Sequence, residues 1–151
     1  MSLTNILKSY KPLRLRVMQE GVHHGPLAST IALLSDIHSN ASFFSGKKVR
    51  LLGCISDYDP ISARVLIFHS TCAIEVDISL LISNLRFNIG DWVFVIGIID
   101  QVSINMSLEH FSHSKYFRII EGYVLRAIIF WNAGNIDVDK YEKVVKKRLK
   151  S

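Results

Sequence analysis

The chain has 151 residues, 49% of them hydrophobic, and a formal net charge of +5. That is enough apolar material for one packed domain and too much for a disordered chain. No apolar run reaches the ~18 residues of a membrane-spanning helix, and Lys8, Lys11, Arg14 and Arg16 interrupt any secretory apolar region.

Residues 1–25 are mixed and basic, with "KPLRLRV" as a short strand or an extended arm. The start is free of acidic residues up to Glu20, which leaves a mitochondrial presequence as a lesser alternative. "HHGP" reads as a break, and the spacing of Leu27, Ile31 and Leu34 with Ile37 or His38 predicts a short amphipathic helix over 27–38. Five strands are then expected, at 49–56, 63–69, 73–78, 91–101 and 117–131. "DYDP" and "STC" turn the chain between the first three. Residues 79–86, "SLLISNLR", predict a helical turn with Ser79 as its cap, and 102–115 a long polar loop. Residues 137–150 predict a closing helix with Val138, Tyr141, Val145 and Leu149 on one stripe and Val144 beside it.

Three strands, a short helix, two strands and a terminal helix suit an all-β domain with flanking helices. The expected fold is the OB-fold, a five-stranded Greek-key barrel with a C-terminal α-helix. The expected organisation is an N-terminal extension over 1–46, the barrel over 47–131 and the helix over 132–151. Interior glycines support it, because a small barrel closes only if its strands coil strongly. Gly97, inside "GDWVFVIGIIDQ", and Gly53 in the first strand are the expected coiling points.

Charge and chemistry narrow the function. Residues 47–131 hold 8 basic and 8 acidic side chains, so the excess lies in the flanks. Phosphate neutralisation supplies most nucleic-acid affinity, so a neutral barrel is expected to bind single strands weakly alone. Cys54 and Cys72 show no metal spacing and read as core thiols. Glu109, His110 and His113 sit close together in the polar loop but lack another ligand elsewhere, so no metal site is expected. No phosphate-cradling loop or nucleophile elbow is present. No catalytic residue, cofactor or membrane partner is expected.

The strands themselves point to a docking role. In strand two, Val65 and Ile67 oppose Leu66 and Phe68; in strand four, Val93 and Val95 oppose Trp92, Phe94, Ile96 and Ile98. In strand five, Ile120, Val124 and Ile128 are expected opposite Ile119, Tyr123 and Leu125. A barrel cannot turn both faces inward, so another element must cover the outside, and an exposed remainder marks an interaction site. The terminal helix has two equal readings, packing on its own barrel or meeting a partner, with Tyr141 as the preferred anchor.

"GKKVRLLGCISDYDPISARVLI", "IGDWVFVIGII", "YVLRAI" and "YEKVVKKRL" resemble the Ten-one family, small subunits of the CST complex that caps telomeres. The small subunit of replication protein A is similar in plan, but "VRLLGxxxxYD" and "LRA" favour Ten-one. Residues 1–46 carry no such resemblance. The resemblance implies a non-catalytic subunit that docks on the Stn-one subunit through the C-terminal helix and adjoining strands. It further implies a larger Cdc-thirteen/CTC subunit, single-stranded G-rich telomeric DNA held through the complex, and a nuclear, telomeric location. The expected partner-binding residues are Arg50, Phe94, Ile96, Ile98, Arg126, Val138, Tyr141, Val144, Val145 and Leu149, with Arg50 placed there by the resemblance. Auxiliary nucleic-acid contacts are expected at Lys47, Lys48, Tyr58, Arg64 and Phe68. A stand-alone single-strand binder is the competing reading.

Overall fold

A computed structural model describes residues 28–81, 85–103 and 118–150. β1 (Thr30–Ile31) runs parallel to the start of β2 (Lys48–Asp59), and the helices α1 (Leu34–Ser39) and α2 (Ala41–Phe44) connect them. β3 (Arg64–His69), β4 (Cys72–Asp77), β5 (Trp92–Gln101), β6 (Arg118–Asn132) and α3 (Val138–Lys150) follow. The strand order is β2-β3-β4-β6-β5, and β5 pairs back onto β2. The result is a closed five-stranded barrel, antiparallel except for β4 against β6, which is the OB-fold connectivity.

Closure depends on β2 serving two neighbours. Lys48 to Cys54 pair with β5, Cys54 to Asp59 pair with β3, and Cys54 itself faces both Trp92 and Phe68. A bulge between Ile55 and Asp57 adds the bend that a strand shared in this way requires. On the far side of β5, Gly97 pairs with Ala127 where the register slips. A Cβ at Gly97 would run into the Arg126 carbonyl and lie 3.0 Å from the Ala127 Cα. The two backbones approach this closely only because residue 97 has no side chain.

The inside of the barrel holds Val49, Leu51, Ile55, Val65, Ile67, Ile74, Val76, Val93, Val95 and Ile99. Leu34 and Ile37 of α1 join the same core, and both are fully buried. β6 departs from a simple alternation. Ile120, Tyr123, Leu125, Ala127 and Phe130 all pack with the barrel core, so the inward positions step by three at two places. Both steps coincide with register shifts, one against β4 at Gly122 and one against β5 beside Gly97. Gly122 has φ +80°, a conformation that costs an L side chain roughly 1–2 kcal/mol. The expected grouping of Ile120 with Val124, opposite Leu125, is therefore corrected: the Gly122 bulge puts Ile120 and Leu125 on the same side.

One other expectation changes. The helix expected over 27–38 is observed only from Leu34 to Ser39, because Thr30 and Ile31 are drawn into pairing with Val49 and Arg50. Asp36 accepts a hydrogen bond from the Leu33 N–H and so starts the helix late. Over the described residues 79–81 the chain makes a turn, with Asp77 accepting the Ser79 N–H and Leu81 N–H bonding Ile78 C=O. Residues 82–84, the polar loop with Glu109, His110 and His113, and "KPLRLRV" with "HHGP" lie outside the described residues. Cys54 and Cys72 are free and buried. No described helix is long and apolar enough to cross a membrane.

α3 lies on the outer wall made by β2, β5 and the end of β6. Tyr141 and Val145 are buried there with Leu33, Leu52, Phe94 and Ala133. The Tyr141 ring meets Phe94 edge-on at 5.5 Å between centroids, and Phe94 stacks on Trp131 at 5.3 Å. Such ring pairs add about 0.5–1.5 kcal/mol each beyond area burial. Glu142 reaches back to His69 at the end of β3, 3.5 Å away, and bonds Lys146 at 2.8 Å.

Gly97→Ala is expected to destabilise the chain by about 3 kcal/mol, since the backbone of β6 cannot yield without breaking its pairing; urea unfolding measures it. Burial pushes the Tyr141 hydroxyl up to about 12, against the opposing pull of Arg50 and Arg148. The unfolded chain releases this proton near pH 10 and the folded chain near 12. The unfolded state then binds fewer protons between those values, so stability is full below pH ~10 and falls across that window. Absorbance titration at high pH should show one tyrosine ionising late, and Tyr141→Phe should abolish it.

Candidate functional site

With α3 in place, the outer wall divides into a covered part and an open part. Phe94, Tyr141 and Val145, expected at a partner interface, are buried within the chain, Tyr141 to 5% exposure. The reason is the thirteen-residue amphipathic α3, which is too short to stand alone and finds an apolar wall at Leu52 and Phe94 beside it. Val138 is half-buried at the edge of the same cluster. The side chain of Leu149 lies outside the described residues.

The open part is a short apolar strip on β5 and β6. Ile98 and Ile128 are each 39% exposed, and Val144 on α3 is 47% exposed. Ile96, nearly buried, pairs with Ile129 between them, and Ile98 pairs with Lys48 on one side and Arg126 on the other. Helical spacing sets Val144 on the flank of α3 away from Glu142 and Lys146. That second flank is turned toward His69 and Asp36, so Val144 belongs to the side nearer the strip. Arg126 at the margin is exposed and ion-paired with Asp100. Ile128 and Ile129 complete the strip although they were not among the expected partner residues. Their signal was present in the run "AIIFW", but its orientation depended on the bulge beside Gly97.

Arg50 sits on the outer face of β2 and is 4% exposed. Its neighbours across the strands are Ile31 and Ile96, and its charge acts on the buried Tyr141 hydroxyl. It is a member of the α3-facing wall rather than an exposed contact.

The five expected nucleic-acid residues do not share a groove. Lys48 and Tyr58 stand ten positions apart along β2, roughly 33 Å of strand. Tyr58 packs edge-on to Phe87 at 4.9 Å and borders a cleft lined also by Arg86, Asn88, Asp91 and Asn132. Arg64 lies 4.0 Å from Asp77, and Phe68 is half-buried near Trp92. The outer face of β3 and β4, where OB-folds commonly hold nucleic acid, carries Glu75 and Asp77 beside Arg64 and Phe68. Lys47 and Lys48 occupy a different corner, at the junction of α2 and β2. Among the described residues no three His, Cys, Asp or Glu side chains are grouped to hold a metal ion.

Comparison with known proteins bears on this surface. A chain of the S. pombe Stn1–Ten1 complex superposes with a TM-score of 0.61 at 15% identity, covering 83% of this chain and 96% of that one. The telomere-capping protein Ten1 from S. pombe gives 0.60 at 14% identity, covering 82% of this chain and all of its own. At those identities the likeness establishes a shared fold. No curated protein sequence matches the chain. Residues 18–146 match the Ten1 family, described as telomere capping, CST complex subunit. Because that match runs through the whole barrel and into α3, the chain belongs to the Ten1 family of telomere-capping CST subunits.

Proposed function

We propose that this chain is a non-catalytic assembly subunit that docks on an Stn1-type partner through the open strip of Ile98, Ile128, Ile129 and Val144. One observation carries the reading: an apolar surplus of branched side chains stands exposed on strands whose inner face is already the barrel core. Isolated apolar residues on a surface need no explanation, but a contiguous strip bordered by charged side chains marks an interface. A specific complex buries ~800 Å2 per partner, so the strip serves as the centre of a contact whose rim includes Arg126 and the exposed flank of α3.

In this reading α3 contributes in two ways. Its Tyr141 face holds the helix to the barrel, and its Val144 flank extends the strip. The pair then joins the large Cdc-thirteen/CTC subunit, and G-rich single strands are held through the whole assembly, in the nucleus at chromosome ends. The neutral barrel supports this division, because Asp77 pairs with Arg64 on the face where a dedicated single-strand binder needs free cations.

The test is calorimetric titration of this chain against its purified Stn1-type partner. Ile98→Asp and Val144→Asp should each weaken binding at least about tenfold, or about 1.4 kcal/mol, with the far-ultraviolet circular dichroism unchanged. Retention of full affinity by both would remove the strip from the interface. Arg50→Glu should instead lower the melting temperature, because it places a carboxylate in a wall that leaves residue 50 only 4% exposed.

A further inference from the structure

The contact between His69 and Glu142 lies at the margin of the apolar cluster under α3, and neither the barrel core nor the docking strip uses it. His69 ends β3 and is 5% exposed, with its ring edge-on to Trp92 at 5.7 Å. Neither ring nitrogen has a hydrogen-bond partner among the described residues, and Nε2 stands 3.5 Å from Oε2 of Glu142. The other carboxylate oxygen, Oε1, accepts a hydrogen bond from Lys146 at 2.8 Å. Beside them remains a cavity of about 210 Å3, walled also by Leu33, Leu34, Ser35 and Ser70. Stability alone does not favour this arrangement. An apolar side chain at position 69 would avoid the cost of open imidazole nitrogens and fill part of the cavity.

Burial of apolar surface has no direction, and α3 offers the wall two neighbouring valines about 100° apart around the helix. Val145 is the one buried, at 2% exposure, whereas Val144 is 47% exposed. Tyr141 lies four residues before one and three before the other, so it fits the wall with either. A roll that buried Val144 would withdraw it from the strip beside Ile98 and Ile128. The same roll would carry Glu142 away from His69, since Glu142 and Val144 stand on opposite flanks of the helix.

Lys146 brings in a third element, because the charge of Asp36 on α1 acts on it. The contact is thus set between the end of β3, the first turn of α1 and α3. A polar contact that apolar side chains could replace is best attested as a device that fixes one register among several. We infer that His69 and Glu142 are positioning residues: their contact pins the roll of α3 on the barrel and so keeps Val144 turned to the docking surface. The pin itself needs no partner, and only its bearing on affinity rests on the docking proposed above.

The experiment reads the roll in the full chain. Val144→Cys and Val145→Cys are made separately and labelled with a maleimide under native conditions, the buried Cys54 and Cys72 serving as slow internal references. Position 144 should label quickly and position 145 slowly. Adding His69→Leu, or Glu142→Ala, which leaves the barrel untouched, should raise the rate at 145 about tenfold, the scale of one charge-assisted contact. With His69→Leu the melting temperature should stay level or rise. The late-ionising tyrosine should persist, because a rolled helix keeps Tyr141 covered. His69→Gln, whose amide still donates to the carboxylate, should keep the slow rate. Unchanged labelling in both pinless variants would overturn the inference. So would a lowered melting temperature with loss of the late tyrosine, since the helix would then be detaching rather than rolling. In titration against the Stn1-type partner, His69→Leu should weaken binding. Faster labelling at 145 with full affinity would support the pin and count against the docking strip, so the two readings fail separately.

Discussion

The double pairing of β2 is the constraint from which the remaining features follow. One strand must hydrogen-bond β5 along its first half and β3 along its second, with Cys54 shared between them. A flat strand cannot do this, so the sheet coils, and the coiling brings β5 and β6 close enough that only glycine fits at 97. Closure removes the sheet edges that would otherwise invite other strands. What remains to be managed is the outer surface.

That surface is apolar because both faces of β2, β5 and β6 are built largely from branched and aromatic residues. The chain covers part of it itself. α3 hides Leu52 and Phe94 beneath Tyr141 and Val145, where burial is worth about 25 cal/mol per Å2. The cover stops short of Ile98 and Ile128, because a helix of thirteen residues spans only about 20 Å. The division between covered and exposed wall is thus set by helix length and direction. The preferred anchor from sequence, Tyr141, falls on the inner side of that division, and Val144 on the outer.

Much of the barrel was readable from residues because its strands obey period two or are plainly two-faced, and because turns such as "DYDP" mark their limits. β6 resisted for a physical reason. Its two bulges each shift the alternation by one residue, and a bulge is visible in sequence only as a glycine in one strand or its neighbour. The first helix begins later than its periodicity predicts: Leu27 and Ile31 fit a helical period, yet pairing of Thr30 and Ile31 with β2 outweighs that local preference. The resemblance places Arg50 at or near the partner-facing surface, whereas its side chain is only 4% exposed and its charge acts on Tyr141 of α3, a relation distant in sequence. The family itself was legible because "VRLLGCISDYD" and "GDWVFVIG" lie on β2 and β5, the pair that closure most restricts.

The wall shared by barrel and helix has a dynamic consequence. Residues 49–54 and 93–96 form a sheet layer with the core on one side and the Tyr141 cluster over much of the other. Water reaches an amide there only when the helix has lifted and the sheet has parted, two events that must coincide. Proton exchange along this seam is therefore governed by whole-molecule opening, and the seam should be the last part of the chain to take up deuterium.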